Sequence, residues 1–415
     1  SLFQYDNPHY YYKRSVLGDN NYFCELALHN KLDYAKQAFV CGNVPQDDRT
    51  CANAALNGHL EFLTWAHLHG FSWGENTCTA AAQNGHLKCL VYAHENHCVW
   101  HYKTVNAAAL NDQYECLVYA IENGCPVTRT TEYIAAKNGH TRCLKYAHEH
   151  SIEHEHDYYC GSIFEIAAKG GHLECVKYIH EQGCPFNDQA CAAAAENGHL
   201  ECLTYLHENG CPMRMYACED AAKGGHLECL KYIHESGYAL LPFACNHAAE
   251  NGHLECLKYL HKNGCHWELC SVPKLAAKNG HLECLVYAHQ NGCIMTHDAQ
   301  AYAAGSSIEC LRYVTEHFDN EHVRHNACEY AAKNGYLECL KYLHEHGWAM
   351  TQWALECVAE RGYVKCLEYL CEHNCPNDIN ASYKAAKNGH YDCLKCLCEH
   401  GYKLHGDTTK IAYKN

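Results

Sequence analysis

One phrase recurs along almost the whole chain: Ala-Ala-Lys-Asn-Gly-His-Leu-Glu-Cys-Leu-Lys-Tyr-Leu-His-Glu-Asn-Gly-Cys, with small variations. Anchored on the residue after Leu-Glu, it falls at Phe62, Cys89, Cys116, Cys143, Cys175, Cys202, Cys229, Cys256, Cys284, Cys310, Cys339, Cys366 and Cys393. The intervals are 27, 27, 27, 32, 27, 27, 27, 28, 26, 29, 27 and 27 residues. A unit of this length cannot bury a core alone, so each must cover its neighbours. The chain is therefore expected to stack thirteen units over residues 45–402, with no domain boundary inside the array.

Each unit reads as two helices. The first places Cys78, Ala81 and Ala82, or Cys245, Ala248 and Ala249, at i, i+3 and i+4, one face of small residues. Asn-Gly ends it, because both residues accept the left-handed C-terminal cap. The second helix starts after His86 or its equivalents and is apolar around about two-thirds of its circumference at 100° per residue. Such a helix needs cover on two sides, as an interior unit of a stack has. The expected architecture is all-α.

The phrase Thr-Cys-x-x-Ala-Ala-x-Asn-Gly-His-Leu-Glu-Cys-Leu-Lys-Tyr-Leu-His-Glu-Asn-Gly-Cys resembles the ankyrin repeat, helix pair for helix pair. Two departures stand out: the period is 27 instead of 33, about one β-hairpin finger short, and the first helix lacks Thr-Pro-Leu-His. The resemblance implies an ankyrin-like helix-pair solenoid of about 13 repeats whose usual employment is protein binding. In its Cys- and His-rich brevity the chain also resembles ankyrin proteins abundant in giant DNA viruses of protists.

The ends depart from the pattern, as solenoid ends do. Residues 1–21 form an aromatic leader, 22–44 a degenerate N-terminal capping unit, and 403–415 a C-terminal half-repeat. That half-repeat is expected to leave Tyr391, Cys393, Leu394 and Leu397 partly bare. With Ile411, and with Leu2, Phe3, Tyr5, Tyr10, Tyr11 and Tyr12 of the leader, these residues suggest head-to-tail self-association.

Composition narrows the function. Of 415 residues, 32 are Lys or Arg and 48 Asp or Glu, a net charge of −16. Without a basic block, nucleic acid is not an expected partner, and no run of about 20 apolar residues suggests a membrane span. Thirty-three cysteines, an odd number, behind a start with no secretory signal point to reduced thiols in the cytoplasm, which means host cytoplasm or virion if the source is viral. Ser1 follows Met removal or marks an incomplete chain.

Enzyme signatures are missing: there is no Gly-x-Ser-x-Gly, no P-loop, and no Cys singled out as a nucleophile. No enzyme activity and no cofactor is expected. The repeated cysteines occupy small core positions, where a free thiol behaves as a small hydrophobe. Trp73, Trp100, Phe186 and Trp267 are read as core packing, and the histidines after Asn-Gly (His59, His86, His199, His253) as braces of the turn. A metal site is not expected in the repeats, because Cys256 and His261 leave one helix in directions about 140° apart. The long interval nevertheless gathers His148, His150, His154, His156 and Cys160, a possible ligand set whose plainer reading is a solvated loop. The segment before each Ala-Ala varies most, which makes Arg214, Tyr216, Glu268, Leu269, Gln352 and Trp353 the expected contacts of a protein partner. The readings in order are an interaction scaffold, a self-assembling structural protein, and a metal-binding protein.

Overall fold

The computed structural model describes residues 22–39, 48–151, 159–267, 271–296, 298–318, 326–376, 379–408 and 411. They form 28 helices and no strand, an all-α run of fourteen helix pairs that begins with Tyr22–Leu28 and Leu32–Phe39. The fold is a helix-pair solenoid. Contacts group the chain into two units, residues 1–194 with 199–213, and residues 195–198 with 214–415. Within each unit, first helices of consecutive pairs lie side by side, and each packs on its own second helix.

The pair Pro242–Glu250 and Leu254–Lys262 shows why the repeat folds as it does. Cys245, Ala248 and Ala249 are fully buried on the first helix. Their small size lets neighbouring backbones approach. The helix stops at Asn251-Gly252, where Gly252 takes φ +79°. The amide of His253 then donates to the Ala248 carbonyl at 2.8 Å, closing the C-terminal cap. Cys256, Leu257 and Leu260 fill the core from the second helix. Lys258 and Glu255 pair at 2.7 Å on its outer side. That exposed pair adds little stability.

The loop out of the second helix is short, consistent with the missing finger, and a thiol holds it. Cys265 is buried, and its Sγ lies 3.4 Å from the Leu241 carbonyl and 3.1 Å from Cys245 Sγ. The same thiol-to-carbonyl contact, 24 residues back, recurs at Cys98–Gly74 (3.1 Å), Cys125–His101 (3.3 Å), Cys211–Asn187 (3.2 Å) and Cys375–Thr351 (3.3 Å). Of the thirty cysteines whose surroundings are described, all but Cys357 and Cys398 are buried. Burial pushes the thiols of Cys89, Cys202, Cys229 and Cys256 up to about 11. They stay protonated at neutral pH, which suits packing and disfavours nucleophilic chemistry.

The C-terminal end corrects one expectation. Cys393 and Leu397 are buried, Leu394 and Ile411 are half-buried, and Tyr391 alone of the expected bare set is widely exposed, at 73 %. Residues 402–408 supply contacts that tie this end together. Tyr402 donates its hydroxyl to the Cys375 carbonyl at 2.8 Å, the His405 amide donates to Ser382 Oγ at 2.8 Å, and buried Thr408 lies 3.3 Å from the same hydroxyl. The apolar surface proposed for head-to-tail contact is thus largely closed there. The other half of that contact, Leu2, Phe3, Tyr5 and Tyr10 to Tyr12, lies outside the described residues.

Candidate functional site

Two histidine devices join successive repeats, and both are best seen before the surface they support. The histidine after Asn-Gly reaches back one repeat. His59 Nδ1 donates to the Ala27 carbonyl at 2.8 Å; Nε2 of His172, His199, His253, His281 and His390 donates to the backbone carbonyls of Lys137, Lys169, Lys223, Glu250 and Glu360 at 3.0–3.1 Å. These residues brace the preceding repeat's turn more than their own, a direction that spacing alone does not reveal.

The second device lies on the second helices. A histidine Nδ1 meets the hydroxyl of a tyrosine one repeat on: His67–Tyr92 (3.0 Å), His94–Tyr119 (3.0 Å), His180–Tyr205 (2.9 Å), His234–Tyr259 (2.9 Å), His261–Tyr287 (3.0 Å), His289–Tyr313 (2.8 Å) and His344–Tyr369 (2.9 Å). Trp73, Trp100, Phe186 and Trp267 lie against the imidazoles of His67, His94, His180 and His261, with ring centroids 3.7, 4.4, 4.6 and 4.0 Å apart. Only Trp267 is buried; the other three are half-buried lids on a hydrogen-bonded histidine, a correction to the core reading. The sequence signal was available, since His and Tyr recur about 25 residues apart.

With the helices so tied, the first helices of the second unit present a distinctive face. Tyr216, Phe243 and Trp353 are 50, 64 and 55 % exposed, and each stands two residues before the buried Cys218, Cys245 or Leu355. Met215 and Gln352 are exposed beside them. Next along the same helices come Glu219, Asp220, Asn246 and His247, all half-buried. Glu219 Oε1, Asp220 Oδ2 and Asn246 Oδ1 are buried without a hydrogen-bond partner. His247 approaches Glu219 Oε2 and Glu250 Oε2 only at 4.0 Å. Burial raises the carboxyls of Glu219 and Asp220 above their ordinary range; His247 opposes the shift at the first, Arg214 most at the second. Half-buried Arg214 therefore acts partly within the chain. Glu268 and Leu269 lie outside the described residues.

The histidine-rich interval does not assemble a ligand set from its described members. His148 Nδ1 lies 3.0 Å from Oε2 of buried Glu132, and His150 stacks on Tyr146 and donates to its carbonyl at 2.9 Å. His154 and His156 lie outside the described residues, as does the side chain of Cys160. Ligating side chains do converge elsewhere among the described residues, at Cys371, Cys396 and His400, whose ligand atoms lie within 4.8 Å of one another. No helix there is long and apolar enough to cross a membrane.

Comparison with known proteins agrees with the helix pairs. The family model of ankyrin repeats matches residues 105–190, 132–217, 164–241 and 330–407, together more than half of the chain. The chain belongs to the ankyrin-repeat family. Among solved structures it is similar to the human ASB11 ankyrin repeat domain, with 20 % identity, 44 % of this chain and 96 % of that one covered, and a TM-score of 0.38. No curated protein matches the sequence.

Proposed function

We propose that this chain is a non-enzymatic protein-recognition scaffold, and that the first-helix face around Tyr216–His247 takes a partner segment carrying a basic side chain beside an apolar one. Ankyrin repeats generally mediate protein–protein interaction. The observation that carries the finer reading is the set of three buried acceptors, Glu219 Oε1, Asp220 Oδ2 and Asn246 Oδ1, left without partners next to exposed Tyr216 and Phe243. A buried acceptor left unmade costs about 1–3 kcal/mol. A guanidinium or ammonium from a partner would supply the missing donors, and exposed aromatics are frequent anchors of interface energy. The chain's net charge of −16 favours encounter with a basic partner.

Selection from a random peptide-display library on the immobilised full chain tests this. Enriched peptides should carry Arg or Lys flanked by apolar residues, and should lose binding to Glu219→Gln/Asp220→Asn and to Tyr216→Ala/Phe243→Ala chains of unchanged helicity. Peptides without basic residues, or binding indifferent to both double variants, would remove the site from this face.

A further inference from the structure

The His–Tyr bridge joins seven junctions and fails where Ile121 or Thr315 stands in the histidine's place, but at one junction both partners change together. Moving 27 residues on from His344 and Tyr369, the pair that bridges at 2.9 Å, leads to Cys371 and Cys396. Both members of the last junction's bridge are therefore cysteine. The double change puts two small thiols, each buried, where an imidazole and a phenol ring meet in the repeat before.

A third group completes the set without any change of its own. His373 in the preceding repeat bonds the Tyr369 carbonyl at 2.8 Å and packs on its ring; His400, 27 residues on, bonds the Cys396 carbonyl at 2.9 Å in the same way. With no phenol ring at residue 396, His400 Nδ1 now lies 3.8 Å from Cys396 Sγ. Ligand atoms of all three side chains fall within 4.8 Å of one another. Around a tetrahedral zinc ion with bonds of about 2.3 Å to sulfur and about 2.0 Å to nitrogen, sulfur and nitrogen stand about 3.5 Å apart and two sulfurs about 3.8 Å. The spacing reaches that of a small ion's ligands once the side chains close by up to about 1 Å.

The geometry points to a binding site for a thiophilic divalent metal ion of the zinc class, held by Cys371 Sγ, Cys396 Sγ and a ring nitrogen of His400. Binding releases the two thiol protons to solvent and shifts the imidazole proton from Nδ1, which gives up the Cys396 carbonyl, to Nε2, leaving two thiolates and a neutral imidazole as ligands. His400 is exposed, so the fourth position opens to the outside, to water or to a donor from another molecule. Tyr402, donating its hydroxyl to the Cys375 carbonyl at 2.8 Å, belongs to the C-terminal segment that a bound ion would help to fix. The site does not depend on the peptide-binding face.

Cobalt reports such a site directly, because thiolate-to-cobalt charge transfer appears only when sulfur coordinates and intense d–d bands mark tetrahedral geometry. The full chain, kept reduced with a phosphine and stripped with a chelator, is titrated with Co²⁺. One equivalent should produce both band sets, and Zn²⁺ should displace them. Cys371→His/Cys396→Tyr installs the pair that bridges seven earlier junctions, should keep the helicity, and should abolish the bands. His400→Ala should weaken binding at least about tenfold, and Cys398→Ser should leave it unchanged. Absence of charge transfer at one equivalent with all thiols reduced, or bands that persist in the double variant, would overturn the site. Unaltered affinity in His400→Ala would remove the imidazole from it.

Discussion

The imidazole of His281 covers the α-carbon of Gly252. A β-carbon on Gly252 would stand 2.5 Å from Nδ1 of the ring, and φ at this glycine is +79°. The same ring donates from Nε2 to the Glu250 carbonyl at 3.1 Å. One residue of the earlier repeat thus has two independent reasons to be glycine, its own backbone and its neighbour's side chain.

Gly252→Ala should accordingly destabilise the chain by about 2–3 kcal/mol, from left-handed strain of about 1–2 kcal/mol and a displaced hydrogen bond of about 1 kcal/mol. Combined with His281→Ala, the glycine replacement should cost only its backbone share. Denaturant midpoints of the two single variants and the double variant give the coupling. Strict additivity would show that the ring yields without loss.

The bridge between His261 and Tyr287 separates hydrogen bonding from packing. Tyr287→Phe removes only the hydroxyl and should cost about 0.5–1.5 kcal/mol. His261→Ala removes the hydrogen bond and also the ring stacked 4.0 Å from Trp267, so its cost should be larger by about 0.5–1.5 kcal/mol. Equal costs for the two variants would mean that the stack contributes nothing.

Thiol chemistry follows burial. Fully denatured, reduced chain should titrate 33 thiols. In the native chain, mass-spectrometric mapping after brief alkylation should find Cys398 modified and Cys256 untouched, since the first is exposed and the second is 1 % exposed with its thiol pushed up to about 11. Cys256→Ser, which buries a hydroxyl, should lower stability by about 1–3 kcal/mol. Rapid labelling of Cys256 would contradict a closed core.

Asp220 gives a pH dependence of unusual sign. Burial raises its carboxyl in the folded state, so the folded chain holds that proton more tightly than the unfolded chain. Ionising it costs stability at neutral pH, and the cost fades as pH falls toward the unfolded carboxylate value of about 4. Asp220→Asn should therefore raise the denaturant midpoint at pH 7, with a gain that shrinks as pH is lowered toward about 4. A loss at pH 7 would show that the charged carboxylate is satisfied within the folded chain.

The helix pairs were legible because small residues at Cys245, Ala248 and Ala249 can share only one helical face, and because Asn251-Gly252 ends a helix by its own backbone preference. What links the pairs was harder to read. His253 and His261 each recur at fixed spacing, but spacing gives no direction, and only the folded chain shows that one reaches backward to Lys223 and the other forward to Tyr287. The aromatic at Trp267 was placed in the core on the same ground, yet its equivalents Trp73 and Trp100 are half-exposed lids on histidines. The acidic face was missed for a different reason. Glu219 and Asp220 look like ordinary surface residues in a helix, and their burial arises from the neighbouring first helices. Likewise Cys371 and Cys396 are two among many cysteines until the bridge they replace is known.

The backward-reaching histidine also bears on how such an array can change length. At the junctions that use it, this contact is written in one direction: a later repeat supplies the ring, an earlier one supplies the glycine and the carbonyl, as at Gly139, Gly171, Gly225, Gly252 and Gly362. The five extra residues between Cys143 and Cys175 do not disturb this, for His172 still reaches the Lys137 carbonyl at 3.0 Å and still lies over Gly139. A block cut at equivalent points therefore carries one complete half of the junction on each end. Unequal recombination that deletes or duplicates whole blocks would rejoin ring to glycine with no compensating mutation, so copy number can drift while each seam stays sound.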